Sequence, residues 1–184
     1  KDSTGVTFYD HLIHSERPQY RLFAQTFGTL CPNQRKDGHH YEIVGTKIHS
    51  SLTCAVILAV HVESGRQVAL KLMVNKTEWG REQRMRETAD GSTVDKRHVL
   101  GILDAFELDD AAREFCAKHP ELEGDVVYAF LLTMPAAQCD LSDVLSHGRI
   151  AGHQKDEVTS ILTQVAHHLQ YLHTVCGRIH GDLK

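Results

Sequence analysis

The chain has 184 residues, 41% hydrophobic and 24% charged, with a net charge of -4 at pH 7; this ordinary globular balance fits one domain or part of one. The negative charge leaves no basic footprint for nucleic acid, and no apolar run reaches the roughly 18 to 20 residues that span a bilayer, so neither nucleic acid nor membrane is expected as a partner. The cysteines, Cys31, Cys54, Cys116, Cys139 and Cys176, are odd in number and lack C-x-x-C spacing, which fits a reducing, cytoplasmic setting rather than a disulfide framework or a zinc ribbon.

Residues 1–40 carry no recognisable motif and read as an N-terminal extension, with one short strand or helix around Tyr20-Arg21-Leu22-Phe23 and a polar loop from Pro32 to His40. From Tyr41 a first strand runs through Ile43, Val44 and Ile48 into the loop His49 to Cys54. Val56 to Val60, the turn Glu63-Ser64-Gly65-Arg66 and Gln67 to Lys71 then read as strand, hairpin, strand. Lys71 follows Val68, Ala69 and Leu70, so its ammonium stands in an apolar setting that is costly without an anionic partner, a phosphate or a carboxylate. Thr77 to Thr88 is rich in helix formers, with Trp79, Glu82, Met85 and Ala89 on one face. Val99 to Leu108 reads as a fourth strand. Asp109 to Gly124 is charged, with room for a short surface helix, and Val126 to Met134 is an apolar run of strand length. The clearest helix is Glu157 to His173, whose stripe of Val158, Ile161, Leu162, Val165, Ala166, Leu169 and Leu172 is expected to pack as core. The fourteen histidines include His39-His40 and His167-His168, but no H-E-x-x-H arrangement, and no metal site is expected.

Two motifs in order, about a hundred residues apart, resemble those of protein kinases. Val68-Ala69-Leu70-Lys71 resembles the V-A-I-K strand. His180-Gly181-Asp182-Leu183-Lys184 resembles the catalytic loop H-R-D-L-K with glycine in place of arginine, and Tyr171-Leu172-His173 with Ile179-His180 fits the approach to it. The resemblance implies an α+β, protein-kinase-like fold over 41–184: an antiparallel five-stranded N-lobe sheet with an αC helix, followed by the first helices of a mainly helical C-lobe. The chain starts at Lys1 rather than methionine and stops inside a motif, as expected of a piece of a longer protein, inactive by itself.

The same resemblance implies ATP and magnesium as cofactors and a protein substrate. Lys71 would pair the α- and β-phosphates and a helix glutamate, with Ile48, Val56 and Ala69 lining the nucleotide site. Met134 or the adjacent Leu132 would guard the back of that site, and Pro135-Ala136-Ala137-Gln138 would be the hinge, with Pro135 lacking an N–H to offer. Two glutamates are placed to pin Lys71: Glu82, followed three residues later by the apolar Met85, is preferred over Glu87. Asp140 to Leu145 resembles the first short C-lobe helix. Asp182 would orient the substrate hydroxyl and accept its proton, Lys184 would stabilise the transferring phosphoryl group, and the magnesium ligands are expected beyond residue 184. Gly181 replaces the arginine that pairs with a phosphorylated activation loop, so that switch is expected to be absent. Where the family has three glycines that let backbone amides reach the phosphates, this chain has His49, Ser51 and Cys54. Lys71 and Asp182 thus favour an active serine/threonine kinase as the parent protein; the replaced glycines favour a pseudokinase acting as a binding or scaffold module.

Overall fold

A computed structural model describes residues 26–33, 39–88, 90–122, 124, 126–137 and 154–180. Of these, 26–85 and 101–136 form one compact unit, whereas 86–100 and 154–180 belong to a second.

The first unit is built on strands β1 (Thr26–Leu30), β2 (Tyr41–Ser50), β3 (Cys54–His61), β4 (Arg66–Met73), β5 (Asp104–Glu107) and β6 (Phe130–Pro135). They make one sheet in the order β1-β2-β3-β4-β6-β5, with every neighbouring pair antiparallel. The class is the expected α+β, and the sheet has six strands instead of five. Thr26–Leu30, inside the stretch read as an extension, pairs with Tyr41 to Val44 and covers what would otherwise be an open edge of β2, anchored by the fully buried Leu30.

The β3–β4 hairpin sets which side chains face the same way. Its register runs without a break from Cys54↔Met73 to His61↔Arg66, closed by a turn in which Gly65 adopts φ 65°. Ala55, Ile57 and Ala59 alternate along β3, as do Val68, Leu70 and Leu72 along β4, and all six are buried on one face. That face packs against helix α2 (Asp110–Lys118) through Ala112 and Cys116, and against Leu108, Leu122 and Tyr128. The charged stretch after Leu108 therefore contributes core as well as surface. Burial pushes the Cys116 thiol up to about 12, so this cysteine is an inert apolar filler.

Two strands are shorter than their apolar runs. Only Asp104–Glu107 pairs with β6, because Asp95 to Val99 is a turn in which the His98 and Val99 N–H groups donate to the Asp95 carbonyl. β6 begins at Phe130, opposite Met73 at the end of β4 and Glu107 at the end of β5; Ala129 still donates to the Met73 carbonyl and accepts from the Leu108 N–H, and before it Val127 is exposed.

In the second unit, helix α3 (Lys155–Thr174) matches the expected helix closely. Its apolar stripe is only partly covered. Ile161 is buried and Val158, Val165, Leu169 and Leu172 are half-buried, but Leu162 is 63% exposed. The helix meets the turn at 95–98: the Asp95 N–H donates to Tyr171 Oη at 2.8 Å, and the Tyr171 ring stacks on His98 with centroids 4.3 Å apart. His98 Nδ1 lies 3.0 Å from His168 Nδ1, a bond that needs a donor on one ring and an acceptor on the other. The hinge residue Gln138, the helix expected over Asp140 to Leu145 and the catalytic-loop residues 181–184 lie outside the described residues.

Burial, followed by the neighbouring His98 and His167, holds the His168 imidazole below its usual range. A depressed imidazole leaves the unfolded state binding more protons, so its stabilising contribution is complete above the unfolded value of about 6.5 and is lost as the pH falls through it. As the pH falls from about 7 to 5, the protection factor of the Asp95 amide should therefore fall. An unchanged protection factor across that window would show that the imidazole pair contributes nothing to the contact.

Candidate functional site

Lys71 lies on β4, directly opposite Val56 on β3 and Leu132 on β6. Opposed residues in antiparallel strands share a face, so Val56, Lys71 and Leu132 look the same way, away from the core side formed by Leu70 and Leu72. Two residues earlier, Ala69 stands on that face between Leu58 and Met134. The result is a lysine set in an apolar patch, which is the arrangement that alternation along Val68-Ala69-Leu70-Lys71 requires.

Helix α1 (Lys76–Arg84) supplies the counter-charge. Lys71 Nζ donates to Glu82 Oε1 at 2.6 Å, with the two side chains 19% and 28% exposed. A hydrogen bond between charged groups contributes about 1.5–3 kcal/mol, reduced here by the solvent that still reaches both partners. The helix starts at Lys76 because Asn75 caps it: Asn75 Oδ1 accepts from the Thr77 and Glu78 N–H groups at 2.7 and 3.3 Å. It ends at Arg84, short of the expected Thr88, so Glu87 falls beyond it and pairs with Thr93 in an isolated bridge. Glu82 is the partner of Lys71, as the pattern favoured.

Trp79 stands one helical turn before Glu82 on the same face. Its ring lies 5.2 Å from that of Phe130, in a cluster with Met73 and Leu132, and its indole N–H donates to the Leu131 carbonyl at 3.2 Å. The sequence marks Trp79 as an inward-facing residue. That its N–H reaches into β6 follows only from the packing.

The residues expected to line a nucleotide site are thus brought together in part. Lys71, Glu82, Val56, Ala69 and Met134 belong to one face of the sheet and its helix. Leu132 is fully buried opposite Lys71, next to the Trp79 cluster, and so lies deeper than Met134 opposite Ala69. Ile48 stands at a bulge in β2, between the register pairs Lys47↔Ile57 and His49↔Val56, and is 57% exposed; His49 is the residue opposite Val56. Asp182 and Lys184 lie outside the described residues.

The β2–β3 turn, where glycines were expected by resemblance, is closed on itself by Ser51. Ser51 Oγ accepts from the Thr53 and Cys54 N–H groups at 3.3 and 3.1 Å, and the Ser51 N–H donates to the Cys54 carbonyl at 2.8 Å. Three amides at the tip therefore already have protein acceptors. Of the three residues that stand in place of the family's glycines, Ser51 is the one whose side chain takes up the tip amides. A serine two residues before consecutive N–H groups was the available signal.

An antiparallel sheet thus carries a lysine on an inner strand, ion-paired to the glutamate of a helix laid over the same face, the arrangement that the resemblance to protein kinases implies. No family model and no curated protein matches the chain. Among solved structures it is similar to crystal structures of the Mycobacterium tuberculosis PknI kinase domain. One shares 23% identity over 80% of this chain and 52% of that one, with a TM-score of 0.48. Another shares 22% over 84% and 55%, again with a TM-score of 0.48. The chain thus spans about half the length of the kinase-like structures it matches. Among the described residues, no helix is long and apolar enough to cross a membrane.

Removing the cap tests how α1 presents Glu82. Asn75→Ala should cost about 1 kcal/mol of helix stability, seen as roughly fivefold faster exchange of the Thr77 and Glu78 amides. Parent-level exchange would mean that sheet contacts alone fix the start of the helix.

Proposed function

We propose that this chain is the nucleotide-facing part of an ATP-dependent protein serine/threonine kinase, acting in the cytoplasm on a protein substrate. The supporting observation is the formed Lys71–Glu82 pair beside the apolar Val56, Ala69 and Met134. An apolar floor with one fixed cation at its edge suits a flat base joined to a polyphosphate. Glu82 holds the Lys71 ammonium at a defined place in a setting that would otherwise disfavour the charge, leaving its remaining donors for phosphate oxygens.

When bound, magnesium-ATP supplies the phosphoryl group for transfer. Val56, Ala69 and Met134 would hold the base, Ala136 and Ala137 would offer hinge N–H groups that Pro135 lacks, and Lys71 would fix the α- and β-phosphates. By the resemblance of His180 to Lys184 to the catalytic loop, Asp182 orients the substrate hydroxyl and takes its proton, and Lys184 neutralises charge on the transferring group.

A second reading, a pseudokinase serving as a binding or scaffold module, is favoured by the self-closed β2–β3 turn. A phosphate approaching that turn must displace Ser51 Oγ from two amides before it gains them.

Calorimetry with ATP and a phosphate-transfer assay on the full-length protein separate the two. Lys71→Ala should weaken ATP binding roughly 10- to 100-fold, the equivalent of one lost charge-assisted hydrogen bond. Ser51→Gly should tighten it by releasing the Thr53 and Cys54 amides, while Asp182→Asn should nearly abolish transfer with ATP affinity within a few-fold of the parent. Absence of ATP binding in the parent and in Ser51→Gly alike would overturn the nucleotide reading. Binding without transfer would leave the scaffold module.

A further inference from the structure

Helix α1 has nine residues and none of them is fully buried, so it cannot hold its position by a core stripe of its own. Three side chains connect it to the sheet, one of them Lys76 at its first residue, whose Nζ donates to Glu107 Oε1 on β5 at 2.5 Å in an exposed pair. Glu82 reaches Lys71 on β4, and Trp79 reaches β6, where its ring meets Phe130 and its N–H is taken up by the Leu131 carbonyl. The Glu82 contact is a single charge pair still open to water; the Trp79 contact combines an aromatic contact with a hydrogen bond in an apolar cluster.

We propose that Trp79 is a positioning residue: by anchoring α1 to β6 it keeps Glu82 on Lys71, so that loss of the anchor opens the charge pair. Trp79 and Glu82 are fixed to each other by the helix, and their sheet partners are fixed to each other by the unbroken β4–β6 ladder, in which Lys71 opposes Leu132 and Met73 opposes Phe130. One anchor therefore restricts the other. Released from Phe130 and Leu131, the helix keeps only exposed or half-exposed ion pairs, Lys76–Glu107 at its start and Lys71–Glu82 further along, so its Glu82 end can lift and the Lys71–Glu82 distance opens with it. The consequence for catalysis rests on the reading of Lys71 as the phosphate-binding lysine. The anchoring does not, and its test needs no nucleotide.

This chain contains one tryptophan, so its indole emission reports on Trp79. The second readout is the rate at which Lys71 is acylated by trace acetic anhydride, followed by mass spectrometry of the Lys71 peptide. Glu82→Gln should change that rate by removing the counter-charge, and Trp79→Ala should change it in the same direction, roughly threefold or more. The double variant should go no further than Glu82→Gln alone, because both act through one contact. Trp79→Phe keeps a ring but loses the N–H and should fall between parent and Trp79→Ala; if Trp79→Ala fails to fold, Trp79→Phe alone decides against the parent. Coupling is reciprocal, so Glu82→Gln should also shift Trp79 emission to longer wavelength. Parent-level acylation of Lys71 in a folded Trp79 variant, multiplicative effects in the double variant, or unmoved emission in Glu82→Gln would each overturn the proposal. ATP affinity measured on the same variants is a separate result, so failure of the nucleotide reading leaves this outcome distinct.

Discussion

An ammonium on the apolar face of a sheet must be compensated, and the organisation of the first unit follows from how this chain does it. Lys71 occupies an inner strand with Val56 and Leu132 as its lateral neighbours, where solvent reaches only part of the side chain. Glu82 is the compensating charge, and it can act only because α1 is laid over that face. The helix in turn depends on its cap at Asn75 and on Trp79. Each of these is a local feature, yet together they determine whether the lysine is a usable binding group or an electrostatic defect.

The opposite face answers a different constraint. With helix α1 on one side, the residues Ala55, Ile57, Val68, Leu70 and Leu72 would be left facing water without a second layer. Helix α2 and its flanking Leu108, Leu122 and Tyr128 supply it. The sheet is thus covered by a short helix on each face, and the side carrying the charge pair is free of the packing demands that α2 meets on the other.

The β2–β3 turn shows how a substitution can alter chemistry without altering the strands. Pairing of β2 with β3 continues up to Ser50↔Ala55, through register shifts between Ile43 and Lys47 and between Lys47 and His49. Within the turn, Ser51 Oγ accepts from the Thr53 and Cys54 amides, and on the proposed nucleotide reading a phosphate would have to displace it from them. On that proposed reading the intact charge pair favours nucleotide binding and the closed turn opposes it.

The sequence by itself determined the alternation that puts Lys71 on one face and Leu70 and Leu72 on the other, because a period of two is a property of the strand alone. It likewise determined the long helix α3, and Glu82 as the preferred partner, since spacing on a helix is local. Tertiary structure decided what depends on distant neighbours. Thr26–Leu30 became a strand because β2 offered an edge; the run Val99 to Leu108 was shortened at the end where the turn at Asp95 to Val99 leads into it, and Val126 to Met134 at the end where its partner strands stop. Helix α1 stopped before Glu87, and Ile48 was left at a bulge while His49 took the place opposite Val56. The stripe on α3 was expected to be core throughout, yet Leu162 remains exposed, because periodicity shows that a face is apolar but not how much of it a neighbour covers. Hydrogen-bond partners such as Leu131 for Trp79 lie far away in the chain, and no local pattern encodes them.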